Sequence, residues 1–383
     1  MGLPRLVPPA TAESDETRDL RTQVRAFLVE QRAAGTFTPL VDCWILGWDE
    51  GFTADLARRG WVGMTIPVEY GGHGRSFVER YVVTEELLAA GAPVAAHWVA
   101  DRQIGPSLLK YGTELQKTEY LSRIARGECF FAVGMSEPDS GSDLASVRTR
   151  AIRVDGGWEL TGTKVWTSGA HHCEAFIVLA RTAPVDPENR HAGLSQFIVD
   201  LRGSGVEVRP IISMSGRHHF NEVILDSAFV SDDMVFGEIG TGWQQVTSEL
   251  SFERSGPERI LSTFQVLAGC AERMASERFP ADSELGRYVA RIAGLRNMSG
   301  AVAGALQRHE SADVAAAVVK VLGTATEGDI PEFADVITGA SADSDQEFTN
   351  LIAAALDQRP GFTIRGGTNE ILRGVIARGL GLR

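Results

Sequence analysis

Apolar positions change period twice along the chain. Leu20, Val24, Phe27 and Leu28, and later Tyr81, Val82, Leu87 and Leu88, fall at helical spacing, which predicts helices across residues 14–128. A turn-rich stretch from Pro67 to Gly74 lies between them. Over residues 129–240 the runs shorten. Trp158 to Gly162, Ala175 to Ala180 and Gln196 to Asp200 are β-rich and bounded by Gly, Pro, Asn or Asp. Gly156-Gly157 predicts a hairpin turn. The helical period returns over 241–383. Leu250, Ile260, Leu261, Phe264, Leu267 and Ala268 predict one long helix, and Val314 to Val321 a second. Residues 325–345 are acidic, polar and Gly-bearing, and predict a loop or a degraded element. The expected fold class is α+β: an N-terminal helical domain (14–128), a small central β-barrel or sandwich (129–240) and a C-terminal helical bundle (241–383). That order suggests a ligand held between the β-domain and flanking helices, since pockets favour domain interfaces.

Composition narrows the class. In 383 residues, 44% hydrophobic and 23% charged residues exclude a disordered chain, a collagen or a coiled-coil rod. A net charge of −13 argues against a nucleic-acid-binding surface. Cys43, Cys129, Cys173 and Cys270 share no metal-site spacing and read as reduced thiols of a cytoplasmic protein. The N-terminal stretch lacks the apolar core of a signal peptide, and no run is long enough to span a membrane. The pairs His171-His172 and His218-His219 should point to opposite strand faces, which disfavours a metal site. Lysine occurs only at Lys110, Lys117, Lys164 and Lys320, and carries no functional reading by itself.

Three segments carry chemistry. Val133 to Asp143 is a loop dense in Gly, Ser and Pro. Leu160 to Ala170 reads as a strand ending in a hydroxyl-rich turn. Ser136, Thr167 and Ser168 there offer hydroxyls, and Trp166 a flat face, to a planar heteroaromatic ligand. Ile364 to Arg373 sets two glycines before a helix, whose first N–H groups favour an anionic or carbonyl oxygen.

These segments, with Pro67 to Gly74 and Tyr111 to Lys117, resemble the acyl-CoA dehydrogenase family over nearly the whole chain. The resemblance implies FAD, with its ring on the β-domain. By position, Met135 and Ser136 meet the pyrimidine side of the ring, and Trp166 and Ser168 lie by its reactive edge. Ser142 matches a residue contacting acyl-CoA beside the flavin, and Thr368 one near the flavin diphosphate. Glu370 stands where the family usually has Gln. Many relatives place the catalytic Glu before the terminal Gly-Thr. Here that position is Gly366, preceded by Arg365 instead of an aromatic residue. The Gly366 N–H still corresponds to a donor that holds the thioester oxygen. Other relatives, acting on branched or bulky acyl groups, carry the base on a central helix just before an Arg. Glu253-Arg254 matches that pair, so Glu253 is the expected base and Arg254 a substrate-contacting cation, with Glu258 as the fallback base. The plainer reading of Arg254 is a surface ion pair with Glu258 at i,i+4.

The departures also inform. In homotetrameric relatives a neighbouring subunit contributes to the FAD diphosphate and adenosine. Arg278 survives in that segment, but Ala281 and Val289 replace the family's Phe and Gln, and Ala334 to Ala342 lacks the second donor motif. The pattern resembles subunits of the α2β2 heterotetrameric actinobacterial enzymes acting on steroid side-chain CoA thioesters. It implies a homologous partner subunit, an acyl-CoA substrate and an electron-transfer flavoprotein as electron acceptor. Two alternatives use the same fold: an acyl-CoA oxidase or flavin monooxygenase, and a non-catalytic partner subunit.

Overall fold

The computed structural model describes residues 7–253, 256–276, 278–279, 282–339 and 345–382, without the side chains of 249–253. Two units emerge, neither continuous in sequence. One comprises residues 50–75 and 96–250, the other residues 7–49, 76–95 and the described residues from 251 onward.

The first unit is built on one eight-stranded sheet. Its strands are β1 (Phe131–Gly134), β2 (Arg150–Val154), β3 (Gly157–Lys164), β4 (Ala175–Arg181), β5 (Leu194–Asp200), β6 (Val206–Ile212), β7 (His218–Ser231) and β8 (Val235–Phe236). The hydrogen-bonded order is β6-β7-β3-β2-β4-β5-β8, with β1 parallel to β4. Every residue of β4 is buried, which explains its unbroken apolar run; a strand covered on both faces has no reason to alternate. Phe131, Ile177 and Ile198 of the sheet share a core with Leu108, Leu121 and Ile124 of helices Gly105–Tyr111 and Glu114–Ala125. Thr113 and Gln116 start the second of these helices with a reciprocal capping box. The β2–β3 hairpin turns at Asp155-Gly156, one residue earlier than Gly156-Gly157. Gly156 takes φ 71°, while Gly157 already pairs with Val154, and a Cβ on Gly157 would lie 2.3 Å from the Val230 carbonyl oxygen.

The second unit is helical. Ser14 caps Asp15–Ala33, and a Ser76–Glu79 capping box starts Phe77–Ala89. The two helices are pinned together by Arg21, which bridges Glu85 at 2.6 Å and also meets Glu86. Helices Phe264–Ala275, Ser283–Gln307, Asp313–Gly339, Gln346–Phe362 and Asn369–Gly379 complete it.

Two sequence expectations fail here. The single helix expected from Leu250 to Ala268 is broken. The helix Gly242–Glu253 ends, a 3-10 turn covers Pro257–Arg259, and a new helix starts at Phe264. Pro257 explains the interruption: it lacks an N–H and forces Gly256 into extended backbone, ψ 165°. Conversely, residues 325–339 form helix, not loop. The buried face there includes Thr326, Glu327, Gly328, Ile330, Ala334 and Ile337. Its spacing is helical, but polar and small side chains hide it from an apolar count. Just upstream, Gly323 lets the helix approach another chain segment, since a Cβ would sit 2.1 Å from the Arg259 carbonyl oxygen.

Candidate active site

In the sheet unit, two loops carry the expected flavin residues. Met135 and Ser136 follow β1, and Trp166 to Ser168 follow β3. A buried ion pair joins the loops. Lys164 Nζ, fully buried at the end of β3, donates to Glu137 Oε1 at 2.8 Å and to the Met135 carbonyl at 3.1 Å. Glu137 also accepts the Arg148 and Thr149 N–H groups at 2.6 and 2.9 Å. The Val165 N–H donates to the Ser136 carbonyl at 2.9 Å, closing the junction. Burial pulls the Lys164 ammonium down to about 8, against the pull of Glu137. Burial works against the Glu137 carboxylate too, yet Lys164 and the hydrogen bonds hold its pKa below the ordinary carboxylate value.

Trp166 stands out from this base. Its φ is 61°, a left-handed conformation that bulky residues rarely take, and its indole is 57% exposed. Phe220 supports it edge-on, with centroids 5.6 Å apart. Asn221 fixes the next residue: its N–H and Nδ2 both donate to the Thr167 carbonyl, at 3.1 and 3.0 Å. The expectation that Thr167 presents its hydroxyl is overturned. That side chain is fully buried, and its Oγ1 has no partner among the described residues. Ser136 and Ser168 remain half-buried and Ser142 is exposed. An exposed indole face beside half-buried hydroxyls fits a planar heteroaromatic ring with polar edges, the chemistry of a flavin.

The first histidine pair is not splayed as expected, while His218 is exposed and His219 buried on β7. His171 and His172 lie in a turn, with ring centroids 3.9 Å apart, and His171 stacks on His218 at 3.9 Å. Burial, helped by His172 and His218, pulls His171 down to about 4. Among the described residues, no group of three or more His, Cys, Asp or Glu is placed to hold a metal ion.

In the helical unit, Glu253 is the last residue of its helix. Its side chain and the whole of Arg254 lie outside the described residues, as do Ala281 and residues 340–342. Glu258 is buried in the 3-10 turn, so it does not continue the Glu253 helix. Gly366 and Gly367 take φ 64° and 86°. Thr368 caps the last helix by accepting the Ile371 N–H, and Glu370 is exposed. Arg278 is exposed, with Nε donating to Ser276 Oγ at 3.1 Å.

Three family models match in series: acyl-CoA dehydrogenase N-terminal domain over residues 14–128, middle domain over 132–228 and C-terminal domain over 240–381. The chain belongs to the acyl-CoA dehydrogenase family. It is an FAD-dependent oxidoreductase acting on acyl-CoA. Acyl-CoA dehydrogenase IpdE1 of Mycobacterium tuberculosis is 35% identical across 96% of this chain and 98% of its own length. Acyl-CoA dehydrogenase FadE34 of the same organism is 41% identical, but over 52% of this chain and 27% of that longer protein. Among solved structures, the Tcur3481-Tcur3483 steroid ACAD aligns at TM-score 0.84 and 30% identity, covering 97% of this chain and 98% of that one. The ChsE4-ChsE5 complex from Mycobacterium tuberculosis aligns at TM-score 0.81 and 25% identity, covering 98% and 100%.

Within this acyl-CoA dehydrogenase, the sequence motifs passed over several supporting residues. Lys164 and Lys320 are two of only four lysines, and both are fully buried. Their scarcity in an Arg-rich chain was the available signal. Glu327, also buried, accepts the Ser262 N–H at 2.7 Å, and burial pushes its carboxyl up to about 8. The folded state therefore holds a proton that the unfolded chain releases near the ordinary carboxylate pKa. This contribution is complete below the unfolded value and is lost as pH rises through about 8. Glu327→Gln should flatten that loss. In melting experiments from about pH 6 to about pH 9, the wild-type Tm should fall more than that of the variant. Parallel pH profiles would show that Glu327 titrates normally.

Proposed function

We propose that this chain is the base-bearing subunit of a heteromeric α2β2 acyl-CoA dehydrogenase acting on a bulky acyl group, in the first place a steroid side-chain CoA thioester. The observation that carries this reading is Gly366, which stands where many relatives bear the catalytic Glu and takes φ 64°. Glycine has no side chain to accept a proton, so the base must come from elsewhere. Glu253 takes that role and removes the α-proton, giving the trans-2-enoyl-CoA. Arg254 contacts the substrate, and the Gly366 N–H donates to the thioester oxygen, where negative charge develops. Met135, Ser136, Ser142, Trp166 and Ser168 hold the flavin ring, and Ser142 also meets acyl-CoA. Thr368, Glu370 and Arg278 serve the diphosphate region. When bound, FAD supplies the acceptor for the β-hydride. The three segments 14–128, 129–240 and 241–383 act as the domains of this site.

The heteromer reading is supported by the residues that replace the neighbour's half-site, including Val289, which leaves an apolar side chain half exposed on helix Ser283–Gln307. It is also supported by likeness to the Tcur3481-Tcur3483 steroid ACAD and to the ChsE4-ChsE5 complex. Electrons pass to an electron-transfer flavoprotein in the cytoplasm. No described helix is long and apolar enough to cross a membrane.

Co-expression with a homologous subunit tests the reading. Equal subunits, half as many FAD as chains, and anaerobic bleaching by a steroid side-chain acyl-CoA are expected. A homotetramer with one FAD per chain refutes the heteromer. A colourless complex favours a non-catalytic subunit, and oxygen consumption without a dye acceptor favours an oxidase.

A further inference from the structure

The segment that carries Gly366 runs from helix Gln346–Phe362 to helix Asn369–Gly379, and two cations hold it, the buried Lys320 and the half-buried Arg365. Lys320 Nζ donates to the Thr363 carbonyl at 2.9 Å and to Asn369 Oδ1 at 2.8 Å, fixing both ends. Arg365 fixes the middle. Its guanidinium lies 4.9 Å from the Trp44 ring centroid and 5.4 Å from that of Phe362, and its Nη1 donates to Asp42 Oδ2 at 2.6 Å.

Asp42 is unusual in its own right. It is fully buried and sits in left-handed backbone at φ 53°, a conformation it holds without being glycine. Its N–H donates to the Ser262 carbonyl at 2.9 Å, and its carbonyl accepts the Ile45 and Leu46 N–H groups. The carboxylate is thus anchored before it meets Arg365.

As a stabilising device the pair is poor. Asp42 Oδ1 and Arg365 Nε are buried without hydrogen-bond partners among the described residues. A buried ion pair in that state commonly stabilises no better than apolar residues of the same volume. What the pair does achieve is local. It immobilises the residue immediately before Gly366, in a segment whose next two residues have no side chains to hold them. Glycine backbone left to itself has wide conformational freedom.

We infer that the Asp42–Arg365 ion pair is a positioning device that sets the Gly366–Gly367 backbone against the acyl-CoA thioester. This rests on the acyl-CoA reading above. Arg365 and Asp42 act through the loop and touch no reacting atom, so both are positioning residues.

The test uses the FAD-loaded heteromeric complex. Asp42→Asn alone leaves the guanidinium uncompensated and can simply destabilise the chain, so the informative variant is the double Asp42→Asn/Arg365→Met, in which asparagine tolerates the left-handed backbone. It removes both charges and is expected to keep the Tm and the FAD content. Its kcat and kcat/KM should fall together by about tenfold or more, the signature of an interaction made only in the transition state. Amide hydrogen exchange of residues 363–368 should rise by about tenfold, with exchange elsewhere unchanged. Arg365→Lys, which keeps a charge at Asp42, should recover part of both effects. Wild-type rates in the double variant, or unchanged loop exchange, overturn the inference. A wild-type complex that no acyl-CoA bleaches, together with faster loop exchange in the double variant, overturns the acyl-CoA reading alone and upholds the clamp.

Discussion

Glu253→Gln is expected to abolish bleaching of the flavin by acyl-CoA while FAD stays bound and the subunits of the proposed heteromer stay assembled. Glutamine keeps the shape of the side chain but cannot accept the α-proton. Loss of a positioned general base costs about 10²–10⁴ in rate, and an acyl-CoA α-proton is acidic too weakly to leave unaided. The residue ends helix Gly242–Glu253, ahead of the 3-10 turn that begins at Pro257. Stopped-flow absorbance under anaerobic conditions reads the effect directly. A variant reduced at the wild-type rate removes Glu253 from the mechanism. Glu258→Gln is the companion measurement. Glu258 is buried in the following turn, and a dead Glu258→Gln beside an active Glu253→Gln would transfer the role to it.

Lys164→Met has the second large effect, on stability and cofactor retention together. The substitution removes one partner of a pair whose side chains are 0% and 6% exposed, and leaves Glu137 buried with only the Arg148 and Thr149 N–H groups. Breaking a buried ion pair in this way costs about 3–5 kcal/mol. The same ammonium supports the Met135 carbonyl, so the loop proposed to meet the flavin loses its support as the fold weakens. Denaturant unfolding should show a lowered midpoint with unchanged slope, and gel filtration should strip FAD from the variant. A midpoint shift below about 1 kcal/mol would show that Glu137 is satisfied without Lys164.

Particular residues show where sequence reading succeeds. The helical stripe of Leu20, Val24, Phe27 and Leu28 is buried as its spacing requires, because one covered face imposes one period on apolar side chains. The β4 run was legible for a different reason, since a strand covered on both faces is apolar without interruption. Periodicity failed over 325–339, where Thr, Glu, Gly and Ala interrupt the apolar residues of the buried face, and across Pro257, where a continuous pattern crosses a backbone that cannot continue the helix.

The sequence by itself determined the family, the alternation of helical and β-rich segments, and the absence of a carboxylate at position 366. All of these are properties of neighbouring residues or of local backbone permission. The tertiary structure alone decided that Lys164 meets Glu137, that Arg365 meets Asp42 across 323 positions, and that Thr167 turns its hydroxyl inward. Buried charges find partners by proximity in space, because the low-dielectric interior penalises any that do not. Nothing in the linear order of residues records which partner the fold will bring.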